Sequence, residues 1–404
     1  MTDIMTIHEP PGWRLYRLGQ LFDERKEKVS DKDYPPLSVT MNGIVPQLET
    51  AAKSDDGDNR KLVKAGDYVL NSRSDRKGSG GISPHDGSVS LISIVMRPKG
   101  VYPRFAHHLL RSRAFQEEFY RWGHGIVADL WTTRYSDMKN IRLFLPDLDT
   151  QKSIANFLDR ETARIDRLIE KKKRLAELLA EKVQIQVNEV LDGYSHSIKP
   201  QSLRWLVRVR SGDFISNVAV EKSPTDENRY PVVGGNGIMA YTAIDNAPPQ
   251  TIVVGRVGAL CGNVHFVEQP SWVTDNALIV RIISPKVEPG FLVALLRAAN
   301  LNEKASKSAQ PLITGETVKS LKVRVPSRSV QLDICRKIAI LSEDCANLSS
   351  LVVKSAERLK EYRSALIAAA VTGQIDVMTW GKQGGTDRCL DQIEEDMALR
   401  EARA

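Results

Sequence analysis

The chain of 404 residues is 42% hydrophobic and 26% charged, the make-up of a soluble globular protein, and its length suits two or three domains. No apolar run approaches the roughly 18 to 20 residues of a membrane helix, and Met1 to Trp13 carries acids and prolines where a secretion signal would have a basic start and an apolar stretch, so the cytoplasm is the expected compartment. An excess of 57 Lys and Arg over 50 Asp and Glu gives a net charge of +7 and a pI near 9.1, which suits a polyanionic partner, while Cys261, Cys335, Cys345 and Cys389 are too scattered for a zinc or redox motif and read as reduced, structural residues.

Residues 1–146 read as short strands and turns around one helix. Turn signals fall at Tyr34-Pro35-Pro36, Asn42-Gly43, Ala65-Gly66-Asp67 and Gly78-Ser79-Gly80-Gly81, between apolar runs such as Tyr68-Val69-Leu70. Phe105, Leu109, Leu110 and Phe115 share a face of a helix predicted from about Arg104 to Tyr120. Residues 147–193 read as one long helix, 194–326 as a second α+β segment, 327–376 as a second long helix and 377–404 as a mixed-charge tail.

This order is an internal repeat. Adding 180 to the residue number maps Lys139 onto Lys319, Pro146 onto Pro326, Gln151 onto Gln331, Ile154 onto Ile334, Leu168 onto Leu348 and Gly193 onto Gly373. The pattern V-x-P-x-F-x-x-x-L-L-R beginning at Val101 returns at Val287, 186 residues later. Upstream of that pattern the halves diverge, as expected of a duplicated binding module whose copies recognise different things.

In the second helix Ile338, Leu341, Cys345, Leu348, Val352, Ser355, Leu359, Tyr362 and Leu366 follow each other by alternating steps of three and four, a coiled-coil seam. The first helix carries Leu158, Glu161, Ile165, Leu168, Lys172, Leu175, Leu179, Lys182 and Gln186 at the matching positions, apolar in the middle and more polar towards the ends. Each helix should span about 60 Å and needs a packing partner; the two are each other's nearest candidates. Pro146 and Pro326 stand ahead of the helices, and Gly193 and Gly373 are expected just past their ends. The charged run from Asp159 to Arg174 reads as an exposed face of i,i+4 pairs.

Two variable α+β segments alternating with two long helices resemble the DNA-specificity subunit of type I restriction-modification enzymes. The likeness spans Trp13 to about Asp376. It is carried by Gln151-x-x-Ile154-Ala155-x-Phe157-Leu158-Asp159, Ile165-Asp166-x-Leu168-Ile169, Leu366-Ile367 with Val371-Thr372-Gly373, and by Val232 to Tyr241, Gly255-Arg256-x-Gly258 and Trp272 to Ala277. The second helix departs from the fuller opening motif, beginning Gln331-Leu332-Asp333-Ile334-Cys335. The resemblance implies an α+β fold with two homologous target-recognition domains separated by two long antiparallel helices in a pseudo-twofold repeat. Each domain would read one half of a bipartite double-stranded DNA site. Two modification (methyltransferase) subunits would dock on the helices, with restriction/translocase subunits joining the assembly. S-adenosylmethionine and ATP with Mg would act in those partners. In agreement, the chain has no Asp/Asn-Pro-Pro-Tyr/Phe motif and no G-x-x-x-x-G-K-[ST] loop, and no residue is assigned a catalytic role. His107-His108 and His124 lack partners at metal spacing, and no helix start follows Gly78-Ser79-Gly80-Gly81 as a phosphate loop would require. In the family, four-residue repeats such as Leu175-Ala176-Glu177-Leu178 and Leu179-Ala180-Glu181-Lys182 set the distance between half-sites.

The DNA-contacting candidates of the first domain are Arg73, Arg76, Lys77, Thr132, Thr133, Arg134 and Tyr135, since arginine can bind guanine bidentately and Lys, Thr and backbone amides can hold phosphates. Those of the second are Asn236, Arg256, Asn263, His265, Lys304, Lys307, Gln310 and Thr314, amides for adenine and lysines for phosphate. For each, the plain alternative is a solvated loop or turn. The alternative for the whole chain is a coiled-coil assembly scaffold whose variable domains bind proteins.

Overall fold

A computed structural model of the protein describes residues 9–47, 57–73, 78–125, 131–194, 198–216, 219–258, 260–306, 311–380 and 395. The chain divides into two compact units, one within residues 1–173 and 354–404, the other within 174–353. Each unit therefore combines one α+β segment with a stretch of both long helices.

The first unit opens with β1 (Arg14–Arg17), α1 (Leu18–Leu21), β2 (Phe22–Glu24), β3 (Lys28–Val29), β4 (Leu37–Thr40), β5 (Gly43–Pro46), β6 (Arg60–Val63) and β7 (Tyr68–Asn71). It continues with β8 (Gly80–Ile82), β9 (Gly87–Val89), β10 (Ser93–Pro98), α2 (Pro103–Arg111), α3 (Arg113–Arg121), α4 (Tyr135–Met138), β11 (Arg142–Leu145) and the long helix α5 (Leu148–Gly193). Strands β2-β10-β7-β8 form a four-stranded antiparallel sheet, and β1 pairs with β11.

In the second unit follow β12 (Gln201–Ser202), β13 (Val207–Ser211), β14 (Tyr230–Gly234), β15 (Gly237–Thr242), β16 (Thr251–Gly255) and β17 (Val264–Val267). They lead into β18 (Trp272–Val273), β19 (Ala277–Ile282), α6 (Pro289–Ala298), α7 (Gly315–Lys319), β20 (Lys322–Val323) and the second long helix, α8 (Arg328–Val371). The sheet β13-β19-β16-β17 repeats the order of the first unit, and β12 pairs with β20 as β1 does with β11. The divergence lies in the small sheets: β3-β6-β9 and β4-β5 in one unit, β15-β14-β18 in the other.

The repeated glutamines explain part of the repeated sequence. Gln151 is 2% exposed; its Oε1 accepts from Tyr102 N (2.9 Å) and its Nε2 donates to Pro146 O (2.9 Å). Gln331, 0% exposed, accepts from Glu288 N (2.8 Å) and donates to Lys286 O and Pro326 O (both 2.8 Å). In both units one buried amide satisfies partly buried backbone groups ahead of the Pro103 or Pro289 helix and ties them to the start of the long helix.

The long helices run antiparallel within each unit. In the first, Leu158, Ile165 and Leu168, all at most 1% exposed, share a core with Leu359, Leu366, Ala370 and Val371, and Tyr362 packs at its edge. Burial of each such side chain contributes about 1.5–3 kcal/mol. Across their exposed side the Arg363 guanidinium donates to both Asp166 oxygens at 2.9 and 3.1 Å. In the second unit Val187, Leu191 and Ile334 pack with Phe291 and Ala294, beside Ile338, while Cys345 Sγ lies 3.7 Å from Leu179 O and Tyr194 OH donates to Asp333 at 2.8 Å.

Three expectations change. The helix predicted over residues 104–120 is two, because Ser112 leaves helical geometry (ψ 147°) and caps α3, its Oγ accepting from Phe115 N. Leu348 is 44% exposed, while Ser349, beside Cys345 Sγ, is half-buried; a strict seven-residue repeat drifts by about 20° per heptad on a straight helix. Leu175, Leu179 and Leu341 are half-buried. Gly193 is the last residue of α5, not a residue beyond it, whereas Gly373 lies past α8 with φ of +70°, as a helix-terminating glycine should.

Candidate nucleic-acid interface

In the first unit three loops are laid side by side by backbone hydrogen bonds. Thr132 exchanges a pair of bonds with His124 (2.9 and 3.0 Å) and bridges Arg73, while Thr133 N donates to Ser72 O at 3.1 Å. The end of β7, the loop after α3 and the residues before α4 thus form one surface. Trp131 locks it: its Nε1 donates to Tyr120 O (2.8 Å), and a Cβ on Gly123 would stand 2.1 Å from that nitrogen.

The second unit builds the same surface with other side chains. Val257 bridges Leu312, Ile313 N donates to Arg256 O (2.8 Å), and Ser306 N donates to Leu312 O (3.0 Å). Leu312, Ile313 and Thr314 stand 180 residues after Thr132, Thr133 and Arg134, and Thr133 and Ile313 are both 0% exposed. The scaffold positions are shared and the outward ones differ.

This geometry sorts the candidates. Arg73 and Arg134 are exposed, and Thr132 is half-buried in backbone pairing. Thr133 cannot meet a ligand, since it is fully buried with its hydroxyl donating to Phe119 O at 2.9 Å. Tyr135 also serves the fold: its hydroxyl donates to Phe22 O (2.6 Å), and burial raises its pKa above the ordinary phenol value. In the second unit Asn236, Asn263 and Lys304 are exposed. The Arg256 guanidinium reaches Ser211 Oγ at 3.1 Å and so lies across the end of β13. Thr314 caps α7, accepting from Thr317 N at 3.1 Å, and His265 Nε2 donates to Gly235 O at 3.1 Å, bracing a turn. Both have structural roles that the sequence did not disclose. Arg76, Lys77, Lys307 and Gln310 lie outside the described residues.

An apolar wall went unnoticed in the sequence. Phe214 (75% exposed), Ile238 (55%), Met239 (65%) and Leu260 (42%) border an open cleft of about 780 Å³ that Asn236 and Asn276 also line. Its signal was the adjacent apolar pair Ile238-Met239 directly after Gly234-Gly235-Asn236-Gly237. Among the described residues no group of three His, Cys, Asp or Glu side chains could hold a metal ion, and no helix is long and apolar enough to cross a membrane.

No protein-family model matches the chain. The specificity subunit of the type I restriction enzyme EcoprrI from Escherichia coli is 34% identical over 136 residues, so the chain matches about a third of that relative's length, 34%, with 34% of its own. A solved structure from work on complex assembly and conformational transition of the type I restriction-modification system aligns over 91% of this chain and 99% of the other, with a TM-score of 0.70 and 16% identity. The HsdS subunit from Thermoanaerobacter tengcongensis aligns over 91% and 98% at a TM-score of 0.46 and 18% identity. Over a third of its length this chain is similar in sequence to a type I specificity subunit, and over nine-tenths of it shares the fold of a structure from the type I restriction-modification system.

Proposed function

We propose that this chain is a non-catalytic, sequence-reading subunit: each unit holds one half of a bipartite duplex site, and the paired helices carry the partners. The observation that supports this reading most directly is the loop surface built twice on the same backbone bonds, with Arg73 and Arg134 outward in one copy, Val257 and Thr314 at the corresponding places in the other, and Arg256 where the first copy has Ser72. A shared frame with different outward groups suits two different base sequences. Partner docking on the helices is supported by Leu178, Ile185, Ile340, Leu348, Leu351 and Val353, all at least 44% exposed within one unit, more apolar surface than a solvated helix face carries. Two modification subunits and the restriction/translocase subunits are the proposed partners, and methyl transfer from S-adenosylmethionine and ATP–Mg chemistry are assigned to them.

The test is duplex binding by the purified chain as a function of salt. Neutralising six to ten phosphates should cost about 10³- to 10⁵-fold in affinity between roughly 50 and 200 mM salt. Salt-insensitive binding, or none, would favour the protein-binding scaffold instead.

A further inference from the structure

The β14–β15 hairpin presents chemistry that the loop surface alone does not. Gly234 pairs with Gly237, leaving Gly235 and Asn236 as a two-residue turn held from behind by His265 Nε2 on Gly235 O. Asn236 is exposed, and its amide makes no hydrogen bond among the described residues. Behind the turn the register slips: Val233 faces Ile238 and Val232 faces Ala240, so Met239 is an extra, bulged residue. Alternation along a regular strand would turn one of two successive side chains inward; the bulge re-aims them, and Ile238 and Met239 are both more than half exposed. Phe214 extends the same wall from another loop, and at the cleft's base Thr274 Oγ1 is buried without a hydrogen-bond partner.

We propose that this hairpin is the base-reading element of the second unit and that it reads an A·T pair in the major groove, Asn236 taking the adenine and Ile238, Met239 and Phe214 taking the thymine methyl. The proposal rests on the DNA-reading function above. The groove, about 12 Å wide, admits a two-stranded ribbon; an Asn amide matches adenine N6 and N7; an apolar contact is what distinguishes thymine, through its 5-methyl group. An exposed amide and a bare apolar wall within three residues of one turn supply both halves of that readout, and the bracing by His265 fixes the turn before binding.

Selection of duplexes from a random library by the purified full chain tests this. The wild type should select a sequence in which one A·T pair is lost when Asn236→Ala is used, with the rest of the site unchanged and affinity for the original site down about 5- to 150-fold. Replacing the thymine of that pair by deoxyuridine should weaken wild-type binding about four-fold, the worth of one buried methyl, and should not affect a variant carrying Phe214→Ala, Ile238→Ala and Met239→Ala. Asn236→Ser serves as a second variant, and unchanged melting temperatures show that folding is intact. If the variants select the wild-type sequence with wild-type affinity, or deoxyuridine changes nothing, the hairpin reading is overturned and the apolar wall belongs to a protein partner. If the wild type selects no sequence, the DNA-reading function itself fails.

Discussion

Gln151→Ala removes a side chain that is 2% exposed and bonded to Tyr102 N and Pro146 O, each at 2.9 Å. Each buried backbone group left without a partner costs about 1–3 kcal/mol, so the two together cost about 2–5 kcal/mol with some relief from entering water. For a unit of this size that is a fall in melting temperature of about 5–15 °C. Hydrogen exchange localises the effect: the Tyr102 amide should lose protection while Glu288, held by Gln331 in the other unit, keeps it. Gln151→Glu refines the argument. Its carboxylate keeps the bond from Tyr102 but sets an oxygen against the Pro146 carbonyl, so the folded state favours the protonated acid and raises that pKa above the unfolded value of about 4.3. The stability it contributes is present below that unfolded value and lost as pH rises through the folded one. A loss under about 0.5 kcal/mol for Gln151→Ala, with Tyr102 still protected, would refute the idea that this amide joins the α2 entry to the long helix.

Further outcomes follow from other contacts. Gly373→Ala should destabilise the first unit by at least about 1–2 kcal/mol in urea melts, because φ is +70° and the added carbon would lie 2.5 Å from Pro10 Cγ. Burial, with Arg111 and His108 nearby, depresses His107 to about 4, and its Nδ1 accepts from Ile82 N at 3.3 Å. Since its unfolded value is about 6.5, the stability it contributes is present above that pH and lost as pH falls towards 4; His107→Gln should flatten that part of a urea-midpoint profile. Arg134→Ala, at an exposed position, should lower the salt slope of duplex binding by about one without changing the selected sequence. Inserting one more Leu-Ala-Glu-Leu after Leu178 adds about 6 Å of helix and should lengthen the spacer of the recognised site by about one or two base pairs; an unchanged spacer in mapped methylation sites would end the ruler idea.

The plan of two α+β segments and two long helices was legible because duplication wrote it twice, the helices at an offset of 180 residues and the V-x-P pattern ahead of them at 186. Gln151 and Gln331 could be matched from the sequence, and their shared backbone role in the structure gives that match a cause. A strict 3.5-residue step puts Leu348 in the seam, but α8 does not hold that step throughout and leaves Leu348 exposed. The binding candidates were harder to judge. Chemistry alone cannot tell Arg134, which is exposed, from Thr133, which is fully buried one residue earlier; only the backbone pairing with Ser72 and the hydroxyl bond to Phe119 make that distinction. Likewise, His265 and Thr314 are spent on a turn and a helix cap, roles fixed by tertiary placement. The bulge at Met239 depends on strand register, which the residues of β15 alone do not specify.

The central claim is that one chain reads two separate half-sites. Genome-wide methylation mapping of cells carrying this chain with the proposed modification subunit tests it most directly. The account predicts a split motif, two defined ends around a spacer of fixed length, with substitutions at Arg73 altering one end and at Asn236 the other. A single contiguous motif, or substitutions in one unit that alter both ends, would contradict it.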